Sequence, residues 1–240
     1  MIELPTKAVP AKMSSPRRLI IYSPPKIGKT TLVSKLEDCL IIDTENGTEE
    51  IEALKVGVKD IYEYFEVLDK VVELGKPYRY IAIDTITSLE DMCLELALQM
   101  YKSTPVGKNF TGTNILHLPN GGGYLYLREA FKLAINKAQD ACERLILLGH
   151  LKESIVNKSG KEVSSKDLDL TGKIKVQTCA NASAIGYLYR NEEGVHISFN
   201  NTKGDQVVGA RPVHLRNKDI LISKEIDGYV EAYWDQIFID

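Results

Sequence analysis

Residues 23–31 read Ser-Pro-Pro-Lys-Ile-Gly-Lys-Thr-Thr, the stretch in which residue types and spacing point most directly to chemistry. Gly28-Lys29-Thr30 supplies the last three letters of the phosphate-loop pattern G-x-x-x-x-G-K-[ST], with Ser23 where the first glycine belongs. In such a loop the backbone amides and the N-terminus of the following helix face an anion, so N–H groups and helix dipole bind phosphate together. Lys29 would reach the β- and γ-phosphates of ATP, the Thr30 hydroxyl would ligate Mg2+, and Thr31 would lie against the α-phosphate. Pro24 and Pro25 stiffen the loop, which Lys26 and Ile27 complete. Serine adds a side chain at a tight turn, but it is small and can satisfy the turn by its own hydrogen bond. The competing reading is a helix N-terminus that spells Gly-Lys-Thr by chance. The strand-like RLIIY (18–22) before the loop and the helical pattern after it argue against that.

A phosphate loop needs an acid on a neighbouring strand for the magnesium shell, and two strand-like runs end in acid: LIIDTENG and YIAIDTITS. Asp84 follows four apolar or aromatic residues, Tyr80–Ile83, and is the better candidate to orient Mg2+-bound water. Glu45 lies just past the other run, near the same rim, where ligands of open α/β sheets bind. A glutamate there can orient and deprotonate a water attacking a γ-phosphate. Asp43 and Glu45 also read as a helix N-cap followed by a first-turn acid.

Apolar, β-rich runs at 18–22, 39–43, 78–84 and 144–149 supply the strands that would carry these groups, and runs of this kind suit strands buried on both faces of a parallel sheet. Helices are expected from Lys29 to Leu36, over 60–75 with a stop at Gly75, from a Thr87/Glu90 capping box onward, and over 124–143. The β-α-β-α order implies right-handed crossovers and a doubly wound sheet. The last third reads as short antiparallel strands at 183–190, 194–200, 211–215 and 219–224, followed by a helix around 228–236. The fold class is therefore α/β, a mostly parallel central sheet flanked by helices with antiparallel C-terminal strands. The 240 residues suit an irregular arm at 1–16 and one domain over 17–240.

With 44% apolar and 26% charged residues and a net charge of −3, the chain has no global electrostatic attraction to nucleic acid or anionic membranes. Four scattered cysteines and four scattered histidines give no readable disulfide or metal pattern, and fit a reducing, cytoplasmic setting. No apolar run approaches the roughly 18 residues of a membrane helix.

The series of a phosphate-loop strand, an "IDTE" strand, an "IAIDT" strand and then "LILLGH" resembles the RecA-like ATPases over residues 17–225. It looks most like the short phage-encoded members that contain little beyond the ATPase core, some of which promote single-strand annealing in recombination. The resemblance implies Lys29 and Thr30 on phosphate and Mg2+, Asp84 as the strand acid, Glu45 as catalytic base and His150 as a γ-phosphate sensor, although His150 also reads as a cap on its loop. It implies a basic residue acting on a neighbouring subunit's nucleotide, Arg211 or Lys203, and hence a homo-oligomer. Single-stranded DNA is the implied partner, with a single-strand-binding or replication protein as a further one.

Two segments could touch DNA. Residues 151–175 read as a flexible polar loop with six lysines against four acids, and 103–123 carries Lys108, Phe110 and a glycine run before Tyr124 and Tyr126. Lysine beside aromatic residues suits phosphate pairing with base stacking, while Tyr124 and Tyr126 also read as core at a helix start. Two rival functions are a nucleotide-dependent switch or helicase-loader-type ATPase acting on a protein, and a small-molecule kinase. The kinase reading lacks an arginine-rich lid after the fourth strand.

Overall fold

The computed structural model describes residues 6–7, 14–158, 161–202 and 204–239, with the backbone alone for 155–158 and 161–164. Most of the expected N-terminal arm, and Lys203, lie outside the described residues.

Strand β1 (Arg18–Ser23) runs into α1 (Lys29–Ser34); β2 (Cys39–Asp43) and a short β3 (Lys55–Gly57) precede α2 (Ile61–Glu73). Strand β4 (Tyr80–Asp84) leads into α3 (Ile86–Lys102), and α4 (Gly123–Ala141) precedes β5 (Arg144–Lys158). The chain then turns back as β6 (Lys161–Leu168) and enters α5 (Gly172–Asn181). It closes with β7 (Ala184–Arg190), β8 (Val195–Ser198), β9 (Gly209–Ala210), β10 (Asp219–Ile226) and β11 (Tyr229–Ala232). The main path of the sheet runs β11-β10-β8-β7-β1-β5-β4-β2-β3. From β3 to β7 every pairing is parallel, and from β7 to β11 every pairing is antiparallel. This is the fold class expected from the sequence.

Alternation along the strands feeds two cores, because successive side chains point to opposite faces. Ile20, Tyr22, Ile81 and Leu147 pack with α2, α3 and α4, while Leu19, Ile21, Ala82 and Ile146 pack with α1 and the C-terminal Trp234 and Phe238. Asp60 caps α2 by accepting from the amides of Tyr62 and Glu63, and Gly75, at φ 78°, closes the segment just beyond it. Trp234 is 6% exposed and its indole N–H donates to the Leu32 carbonyl at 2.9 Å, so the C-terminus braces the helix behind the phosphate loop. Trp234→Ala is expected to cost about 3–5 kcal/mol of stability, measured by urea unfolding.

Five expectations need correction. Residues 184–190 form no antiparallel addition to β1: β7 lies parallel to it, with α5 making the crossover. Residues 151–168 are no loop, since β5 continues past His150 and pairs antiparallel with β6 as far as Lys158 and Lys161. The cap of α3 is Thr85, which accepts from Ser88 N at 3.3 Å. Thr87 and Glu90 instead hold the connection after β6: the Thr87 hydroxyl donates to Asp169 O and Glu90 accepts from Thr171 N. Residues 211–215 form turns, closed by Leu215 N on Pro212 O, and the strand in that region is Gly209–Ala210. The expected helix over 228–236 is split, because Asp227 and Gly228, at φ 52° and 81°, turn the chain into the β10–β11 hairpin. A short 3-10 turn at Trp234–Gln236 follows.

Candidate nucleotide site

Strand register brings the expected residues to one rim. Ser23 pairs beside His150, Asp43 beside Asp84, and Asp84 beside Leu148. The phosphate loop leaves β1 at Ser23 and re-enters regular structure at Lys29, with Gly28 at φ 104° and ψ 28°. That left-handed conformation costs glycine nothing and most other residues about 1 kcal/mol or more.

Lys29 is 7% exposed, and its ammonium donates to the Ser23 hydroxyl at 3.0 Å. The Ser23 hydroxyl donates in turn to Pro24 O at 2.7 Å. Serine at the first-glycine position therefore turns the loop on itself and gives the lysine a neutral partner. Thr30 donates to Asp84 Oδ2 at 2.5 Å. Burial lowers the Lys29 pKa against the pull of Asp84 and Glu45. Burial likewise raises Asp84, against the Thr30 hydrogen bond and the Lys29 charge. Both ions are thus less well served in the chain alone than in water.

Glu45 hangs over the end of β4. Its Oε1 accepts the Thr85 hydroxyl at 2.5 Å and lies 2.8 Å from His150 Nε2, the ring N–H being the donor when the carboxylate is ionised. Thr44, which the sequence reading did not single out, locks the two loops together. Its hydroxyl donates to Thr85 O at 2.9 Å and accepts from Thr85 N at 2.8 Å. Asp43 is no helix cap: its two oxygens accept the amides of Glu45 and Thr48, each at 2.9 Å, inside a loop. Its carboxylate is therefore spent on shape and presents Glu45 to the rim.

The residues fit ATP with Mg2+. A buried ammonium whose hydrogen bond among the described residues goes to a neutral hydroxyl, beside loop amides and a helix start, suits a phosphate chain. A hydroxyl and one buried carboxylate suit a hard cation that takes its other ligands from phosphate and water.

Arg211 does not join this group. It lies where β1 and β7 begin, with its amide on Ser183 O and its guanidinium on Ala180 O at 2.6 Å. The arginine at the phosphate loop is Arg190, at the far end of β7, whose Nη2 donates to Ile27 O at 3.3 Å. A small cleft beside it, of about 130 Å3, is bounded by Gly28, Thr31, Arg190, Lys224 and Glu225. The only signal for Arg190 in the sequence is its place at the end of YLYR, and that says nothing of which strand lies beside β1.

The expected DNA-facing residues are divided. Phe110 packs edge-on against Tyr101 at 5.4 Å, and Tyr126 meets Tyr101 at 5.2 Å, so both rings are engaged in the core. Tyr124 is 45% exposed. Lys152 pairs with Asp169, Lys175 with Asp167, and the Lys166 ammonium lies 4.7 Å from the Tyr187 ring centre. The side chains of Lys158 and Lys161 lie outside the described residues, and no helix among those described is long and apolar enough to cross a membrane.

Among curated proteins none matches this chain. Among solved structures, the crystal structure of the RadB recombinase aligns with a TM-score of 0.49 and 12% identity over 92% of each chain. A family model described as AAA domain matches residues 15–219, from just before β1 to the first residue of β10. The chain belongs to this family of AAA domains.

Proposed function

We propose that this chain binds ATP with Mg2+, hydrolyses it, and couples the cycle to single-stranded DNA as a homo-oligomer, in recombination or replication of the phage type. The observation that carries this is the Thr85–Glu45–His150 chain at the rim beside Lys29, Thr30 and Asp84. Lys29 would bind and orient the β- and γ-phosphates, while Thr30 and Asp84 would hold Mg2+, which would offset the phosphate charge. Glu45, aimed by Thr85 and His150, accepts the proton of the attacking water. Arg211 is too far round the sheet to serve its own site, so in this reading it or Lys203 serves the neighbouring copy.

The route to DNA is β5 itself. From His150 the strand runs to Lys158, eight residues or about 26 Å at the rise of an extended chain. A shift of His150 on loss of the γ-phosphate would therefore move the paired strands β5 and β6, whose last described pair is Lys158 with Lys161. If those lysines meet phosphates, replacing both by alanine lowers the slope of log affinity against log salt by about 0.7 for each. Basal ATP turnover stays unchanged. Filter binding across a salt series reads the slope, and an unaltered slope removes the hairpin from the DNA contact.

A second reading, a switch or loader acting on a protein, is favoured by one observation. Lys152 and Lys175 are already paired with carboxylates of the same chain. In that case single-stranded DNA neither binds in the presence of ATP nor changes its hydrolysis.

A further inference from the structure

On the rim where β1 and β7 begin, across the sheet from Ser23–Thr31, lies an open pocket of about 600 Å3. Its charge is one-sided: Arg17, Arg18, Lys132 and Arg211 line it, with Asp140 as the one carboxylate among its lining residues. Gln139 also lines it and is only 7% exposed. The Gln139 Oε1 accepts from Arg18 Nε at 3.3 Å. That contact fixes which way the amide faces and leaves Nε2 buried without a partner among the described residues. A buried amide N–H with no acceptor costs about 1–3 kcal/mol.

The cations have few internal partners. Burial first and the Arg17 charge second lower the Arg18 pKa, with Cys142 and Asp140 giving lesser relief. Lys132 meets Glu129 at 3.7 Å, but both side chains are largely exposed, and such a contact is weak. Arg211 gives one donor to Ala180 O at the end of α5, which accounts for a cation beside a helix C-terminus. Four cations meet one carboxylate around the pocket, and an oxyanion supplies the missing negative charge.

We propose that this pocket binds a phosphate group, at a site separate from the phosphate loop. The phosphate could belong to a free polyphosphate or to a nucleic-acid backbone, which present the same oxygens to these donors. The site does not depend on the ATPase reading.

The test uses the full chain carrying Lys29→Ala, so that the phosphate loop contributes little. Titration with tripolyphosphate, followed by calorimetry, is expected to show saturable binding. Adding Gln139→Glu, which places a second carboxylate among the lining cations, should weaken it by about tenfold or more, the scale of one lost charge-assisted contact. Lys132→Gln, an exposed change that leaves the core intact, should weaken it in the same direction, with the urea midpoint unchanged. A short single-stranded oligonucleotide that displaces tripolyphosphate identifies the ligand as backbone phosphate. Failure to displace it identifies a free phosphate compound. The proposal is overturned if the Lys29→Ala chain shows no saturable binding at millimolar tripolyphosphate, or if binding ignores both further substitutions. A chain with Lys29 intact that binds tripolyphosphate no better than Lys29→Ala counts against the phosphate-loop reading instead.

Discussion

Lys29→Ala is expected to abolish ATP hydrolysis and to weaken ATP binding by about 10- to 100-fold, the value of a charge-assisted hydrogen bond of roughly 1.5–3 kcal/mol. Lys29 is held in a buried position, where burial disfavours its charge and the Ser23 hydroxyl is its hydrogen-bond partner. A phosphate oxygen arriving there gains a full charge pair in a water-poor site, and alanine removes that gain entirely. Ser23→Gly separates the two roles of the loop. It deletes the hydroxyl that competes for the ammonium but leaves the lysine and the loop length intact, so binding should hold and turnover should be equal or slightly higher. Titration with a fluorescent ATP analogue together with phosphate-release kinetics reads both variants. Normal binding and turnover in Lys29→Ala would show that residues 23–31 are an ordinary loop.

Glu45→Gln should bind ATP and Mg2+ as the unaltered chain does, yet turn over about 10²- to 10⁴-fold more slowly, the scale of a lost general base. The amide keeps an oxygen for the Thr85 hydroxyl, so the loop geometry should survive. What would disappear is the proposed acceptor of the water proton. Asp84→Asn should act differently, raising the Mg2+ concentration needed for half-maximal rate, because Asp84 is bonded to the Thr30 hydroxyl, its proposed partner in holding the metal. Normal turnover in Glu45→Gln would reduce Glu45 to a brace between Thr85 and His150.

The strands that carry these groups could be read from the chain because they are buried on both faces and so nearly unbroken in apolar character. The helix over 61–73 was equally readable, from its period and from Asp60 and Gly75 at its ends. Other features depend on who sits beside whom. Glu45 and His150 are 105 residues apart and meet because β4 lies between β2 and β5. Arg190 reaches the loop because β7 lies parallel to β1. Neither neighbour relation leaves a local trace. The β5–β6 hairpin is polar over 152–167, so its strands show no apolar pattern even though their backbones pair. Helix α5 shows no apolar stripe for a similar reason: only Ile174 and Thr178 are buried along it. At the C-terminus the sequence does carry a local trace, since Asp-Gly at 227–228 is a hairpin signal in its own right.

Steady-state phosphate release by the purified chain, with ATP, with and without Mg2+, and with and without single-stranded DNA, tests the account most directly. The expected result is turnover that requires Mg2+, rises on adding single-stranded DNA, and is lost in Lys29→Ala. Absence of Mg2+-dependent turnover in the presence and absence of DNA would contradict it.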